Sequence, residues 1–171
     1  MGTSARKLAP ALWLLLLFSA SFGCASRADA LGRGYARALT FELRSIINKH
    51  TPYAWGGSND EREGLDCSGY IYLAARRAGL PVRRTTSRRM AIGDGGWTGI
   101  PVTLDDPANC GDTLDLMFWT FAAKRPNGHV GVRWGKQRVT HASTRRGVVI
   151  DRLSGVLMKA LTKSIHLTIG E

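Results

Sequence analysis

The residues best suited to chemistry are one cysteine and two histidines. Cys67 stands in Leu65-Asp66-Cys67-Ser68-Gly69. A thiol attacks as its thiolate, and a free pKa near ~8.5 leaves little of that form at neutral pH. The first turn of a helix would offer the sulfur the positive end of the macrodipole and unpaired backbone N–H groups. An imidazole beside it would take the proton and give a thiolate–imidazolium pair. Asp66 fits the N-cap, Ser68 is tolerated in the first turn, and Gly69 lets a second backbone approach. His129 follows Pro126-Asn127-Gly128 and opens an alternating stretch, while His141 closes the next one in Val139-Thr140-His141-Ala142-Ser143. A tight Gly135-Lys136 turn would pair the two as a hairpin, with His129 near Ala142 and beside His141. His141 would then bond one nitrogen of His129 and select which nitrogen meets the sulfur. Cys67, His129 and His141 are therefore the expected triad.

These side chains need helices on one side and a sheet on the other. Tyr35 to Ile47 has the period of an amphipathic helix, with Leu39, Leu43, Ile46 and Ile47 inward. Thr51 to Gly57 breaks it, and Gly56-Gly57 reads as a turn. A second helix starts at Asp66 or Cys67, buries Ile71, Leu73, Ala74 and Ala75, and stops at Gly79 ahead of Pro81. A short third helix is expected around Thr86 to Ile92, capped by Thr85 or Thr86. Beyond Gly99 the period becomes two. Leu114–Phe121, His129–Trp134, Arg138–His141, Val148–Ile150 and Ser164–Ile169 read as strands. Helices first and an antiparallel sheet afterwards give an α+β fold. Trp119 and Phe121 share a face and read as core, Tyr53 and Trp55 as core aromatics first and site walls second.

The chain has 171 residues, 44% of them hydrophobic, which suits one domain and excludes wholesale disorder. Its N-terminus reads as a secretory signal: Arg6 and Lys7 precede an apolar run from Ala11 to Gly23, short of the ~20 residues a bilayer span needs. Ser21-Phe22-Gly23-Cys24 resembles a lipoprotein box that would acylate Cys24 and anchor the protein to a membrane. Ala28-Asp29-Ala30 is the competing site, releasing a soluble form. Residues 1–30 are thus expected to be signal and tether, and 31–171 a single catalytic domain outside the cytoplasm. The formal charge is +11, and Arg76, Arg77, Arg83, Arg84, Arg88 and Arg89 form a dense run with no acid between Cys67 and Gly93. No nucleic-acid motif accompanies it, so carboxylate-bearing peptides or an anionic surface are the expected partners, with a merely solvated face as the alternative.

Four blocks carry a resemblance: Pro52-Tyr53-x-Trp55-Gly56-Gly57, Asp66-Cys67-Ser68-Gly69, His129-Val130-Gly131-Val132 and His141-Ala142-Ser143. In order and rough spacing they resemble the NlpC family of cell-wall cysteine peptidases, over about Tyr35 to Ile150. The resemblance implies a papain-like fold, with Cys67 as nucleophile, His129 as base and acid, and His141 as orienting member. It implies Tyr53 beside the thiol, its hydroxyl helping to hold the oxyanion, and Asp66 and Ser68 lining the approach. It also implies hydrolysis of peptidoglycan stem peptides between D-glutamate and a diamino acid, with no metal or organic cofactor. The chain departs from the family pattern in lacking a glycine before Asp115-Leu116 (Gly111-Asp112 stands earlier), in Lys49-His50 before Thr51, and in Arg133 and Trp134 closing the second strand.

Other readings remain open on sequence alone. The same triad would serve an amidase or acyltransferase, and a Cys67–Cys110 disulfide would mark a non-catalytic wall-binding lipoprotein. Cys110 is more simply a free thiol, His50 a bystander, and His166 a residue facing solvent or the neighbouring strand.

Overall fold

The computed structural model describes residues 30–101 and 115–167. The N-terminal signal, Cys24, Cys110, Gly111-Asp112, Leu114 and the proposed end of the last strand at Thr168-Ile169 lie outside them. The described chain runs α1 (Ala30–Asn48), α2 (Cys67–Arg77), α3 (Ser87–Met90), a 3-10 turn (Asp94–Gly96), β1 (Gly99–Pro101), β2 (Asp115–Trp119), β3 (His129–Arg133), β4 (Arg138–Ser143), β5 (Gly147–Arg152), α4 (Val156–Ala160) and β6 (Leu161–Leu167). The strands form one six-stranded sheet in the order β1-β6-β2-β3-β4-β5, and every pair is antiparallel.

Hydrophobic period decides which face each element buries. Leu39, Leu43 and Ile46 of α1 meet Ile71, Ala74 and Ala75 of α2, and both helices lie over Leu116, Phe118, Val130, Val132 and Ala142 of the sheet. The alternate residues Met117, Trp119 and Val139 point to the opposite face, where Leu153, Leu157 and Leu161 cover them. Sequence reading missed α4, which is too short for a helical period to emerge. Its Leu157 carbonyl accepts from Trp119 Nε1 at 2.7 Å. Thr86 caps α3 as expected.

The β3–β4 turn corrects one expectation. A two-residue turn would set His129 against Ala142 and turn His141 to the other face, because a one-residue slip inverts every side chain. Gly135, Lys136 and Gln137 instead form a longer connection, Trp134 N–H donates to the Arg138 carbonyl, and Val132 pairs with Thr140. His141 then lies across from Gly131, on the same face as His129.

Candidate active site

The cysteine side is built from a few consecutive residues. Asp66 sits in extended backbone before α2, and its Oδ1 accepts from the Gly69 N–H at 2.6 Å and from Ser68 Oγ at 2.9 Å. Its Oδ2 accepts from the Gly56 N–H at 3.1 Å and from Arg84 Nη2 at 2.8 Å. One carboxylate thus caps the helix, fixes the Gly56 turn and ties down α3's leading segment. Arg84 Nη1 also donates to Ser68 Oγ at 2.9 Å. Asp66 and Ser68, expected to line the approach, are buried and bonded inside the protein. At Gly69 a Cβ would stand 1.8 Å from the Gly57 carbonyl oxygen, so only glycine allows this loop to lie against α2.

This puts Cys67 at the first position of α2, buried and as a free thiol. The backbone N–H groups of Val130 and Ser68 point at its sulfur and, with Arg84, favour the thiolate. Burial acts the other way and wins, pushing the thiol up to about 11. Val130 follows His129 in the chain, so the sulfur rests against the start of β3.

The histidine side is assembled across strands. His129 Nε2 is 2.8 Å from His141 Nδ1, with the rings edge-on, and His141 Nε2 is 2.9 Å from Asp151 Oδ2. Arg146 holds Asp151 from the far side, Nη1 to Oδ1 at 3.0 Å and Nη2 to Oδ2 at 2.5 Å. That ion pair, helped by the His141 bond, keeps the Asp151 carboxyl below its ordinary range. Burial and the neighbouring His141 lower His129 to about 3. Burial thus works against the charged form of each partner, the thiolate of Cys67 and the imidazolium of His129. Trp119 and Phe121 flank the His129 ring with centroids at 5.6 and 5.8 Å. Trp119 is core, but Phe121 is 53% exposed and is a wall of the site.

Tyr53 is half-buried, and burial, reinforced by the neighbouring Cys67 and Asp66, raises its pKa. Its phenol stays protonated and able to donate. Trp55, two residues on, is 83% exposed, a rim residue with no place in the core. His50 lies apart, in a groove of about 460 Å³ between the end of α1 and the edge of β5. His166 Nδ1 bonds Asp115 Oδ1 at 3.0 Å, and Asp115 also faces Arg133 at 3.6 Å. The departure at Arg133 is thus answered by a buried acid on the adjacent strand. The arginine run is partly neutralised from outside itself: Arg77 pairs with Glu61, Arg84 with Asp66 and Arg89 with Asp94.

Asp151 and Arg146 escaped sequence reading. The available signal was the β4–β5 register, in which Ser143 pairs with Gly147 and Val139 with Asp151, setting Asp151 on the face that carries His141.

The model of the NlpC/P60 family matches residues 50–166. The chain is 33% identical over 109 residues to the probable endopeptidase NlpC of Escherichia coli, covering 62% of each protein. It is 26% identical over 130 residues to the peptidoglycan DL-endopeptidase CwlO of Bacillus licheniformis, covering 74% of this chain and 26% of that protein. The chain thus spans about three fifths of the first relative's length and about a quarter of the second's. Among solved structures, an NLP/P60-family protein of Staphylococcus aureus described as similar to lipoprotein superposes with a TM-score of 0.59 at 20% identity, covering 78% of this chain and 41% of that one. That likeness carries the papain-like α+β fold.

Proposed function

This chain belongs to the NlpC/P60 family, and from that premise we propose that it is an exported cysteine endopeptidase that hydrolyses peptidoglycan stem peptides. The observation that carries the reading is the meeting of a capped helix start bearing Cys67 with the strand start bearing His129, whose Nε2 is 2.8 Å from His141. The names of the two curated relatives, both endopeptidases and one acting on peptidoglycan, support the substrate class. The bond between D-glutamate and the diamino acid is the proposed site of cleavage.

Burial disfavours a separated thiolate and imidazolium, so the proposed proton transfer accompanies attack. As the sulfur closes on the peptide carbonyl carbon, its proton passes to His129, and the carbonyl π pair moves to oxygen. Tyr53 is the proposed donor to that oxyanion. Collapse expels the amine, which takes the proton from His129, and leaves a thioester on Cys67. Water, deprotonated by His129, then releases the acid.

Purified stem peptides and mass analysis test this. Wild-type protein under reducing conditions should yield two fragments whose masses sum to peptide plus water, and Cys67→Ala should yield none. His129→Ala should slow cleavage by about 10²–10⁴-fold. Intact peptides with active-thiol wild type would sink the reading, and a transfer product would favour an acyltransferase. Export and anchoring are part of the proposal, resting on the apolar run and on Ser21 to Cys24. A mature N-terminus at acylated Cys24 would support the envelope-anchored form, whereas one at Leu31 would support a soluble secreted form.

A further inference from the structure

We infer that Asp151, held by Arg146, is a positioning residue that dictates which nitrogen of His129 carries a proton, acting through His141. The inference rests on the reading of Cys67 and His129 as nucleophile and base. It adds a member from β5 to a triad drawn from α2, β3 and β4.

The argument follows hydrogens along the chain of bonds. A carboxylate has no proton to give, so across the 2.9 Å contact His141 Nε2 must donate to Asp151 Oδ2. A neutral His141 then has a bare Nδ1, which can only accept across the 2.8 Å contact to His129 Nε2. His129 therefore carries its proton on Nε2, and its Nδ1 is left bare as the base. Arg146 matters because it occupies both carboxylate oxygens from the other side, which keeps Asp151 ionised and aimed. When His129 takes the thiol proton, the new cation faces a relay ending in a fixed negative charge.

The charged and titratable groups around this relay are Cys67 and Asp66 at the start of α2, Arg84 bonded to Asp66, Tyr53 in the preceding loop, and Arg146 in the β4–β5 turn. Only Asp151 reaches His141 directly among the described acids.

Two substitutions separate positioning from scaffolding. In Asp151→Asn, Arg146 draws the amide oxygen to itself and turns the NH₂ towards His141 Nε2. That inverts the relay: His141 keeps its proton on Nδ1, and His129 must place its own on the nitrogen that should be bare. Asp151→Ala leaves room for water and imposes no direction. The Asn variant should therefore be the slower one, by about 100-fold against about tenfold for Ala. A scaffolding role predicts the reverse order, since Asn keeps more bonds than Ala.

The measurement is Cys67 alkylation by iodoacetamide on the full chain, followed by peptide mass so that the other cysteines do not interfere. It needs no substrate, so it stands even if stem peptides are left intact, which would sink the proposed activity instead. Removing a negative charge favours deprotonation, so both limbs of the alkylation pH profile should move to lower pH in each variant. Thermal midpoints near wild type certify folding, and the limbs are read on folded protein if one variant is weakened. Ala slower than Asn, or both variants within twofold of wild type with unmoved limbs, would overturn the inference.

Discussion

The helix start bearing Cys67 and the strand start bearing His129 lie against each other, but they are held there by different kinds of structure. The cysteine is fixed by its own neighbours. Asp66 closes the helix start through Gly69 and Ser68, and reaches Gly56 and Arg84 with its other oxygen. The histidine is fixed by residues that share no segment with it: His141 on β4, Asp151 on β5, and Trp119 on β2 with α4 behind it. The first arrangement is insensitive to strand register and vulnerable to loss of one carboxylate. The second keeps its fold when single bonds are lost, but its alignment depends on register and on each partner in the relay. A site of this kind can thus be stable on one side and merely aligned on the other.

The harshest test of that contrast is to delete Lys136. Shortening the β3–β4 connection by one residue slips the register, sends His141 to the helix-facing side and brings Thr140 and Ala142 out of the core. Cleavage and Cys67 alkylation assisted by His129 should both fall below detection, with a broadened unfolding transition. Full activity would show that the histidine side does not rely on register.

Single substitutions should then divide the two sides by what they damage. Asp66→Ala removes a cap and a charged partner of Arg84, and should destabilise by roughly 3 kcal/mol in urea unfolding. His141→Ala should change stability by less than about 1 kcal/mol while slowing cleavage about 100-fold. If Asp66→Ala left stability intact while His141→Ala unfolded the protein, the contrast would be inverted. Gly131→Ala lies between them. A Cβ there would stand 2.8 Å from the Thr140 oxygen and from Val139 Cγ2, and 3.1 Å from His141 Cβ. It should cost about 1–3 kcal/mol and lengthen the contact between the histidines, lowering activity by about tenfold.

The same contrast explains what could be read from the chain. The helix start was legible because Asp66 to Gly69 states cap, nucleophile and close approach within four consecutive positions. His129 and His141 were legible as residues, through the alternation around them, but not as neighbours. Their contact hung on whether the turn used Gln137, and the shorter turn would have parted them. Asp151 was invisible because it needed two registers at once. Phe121 was misplaced because period two continued past Trp119, where β2 ends and the side chain turns to solvent. The arginine run looked unopposed because its acids, Glu61, Asp66 and Asp94, come from outside the segment between Cys67 and Gly93 or just beyond it.

Glu61 gives the mildest test, on the stable side. Its carboxylate is buried between Lys49 at the end of α1 and Arg77 at the end of α2, and those two cations hold it at about 2. It pins the Gly57-to-Gly64 loop whose Gly57 lies against Gly69. A carboxyl lowered on folding stabilises the native state above its unfolded pKa, near ~4.3, and that contribution disappears as pH falls through the folded value. Glu61→Gln should therefore cost about 2 kcal/mol from pH 5 upward. The difference from wild type should shrink steadily below pH 4 and vanish near pH 2. Alkylation of Cys67 at pH 7 should stay within twofold of wild type, since the Asp66 cap remains. A pH-independent penalty would mean that packing, and not the two ion pairs, holds this loop against α2.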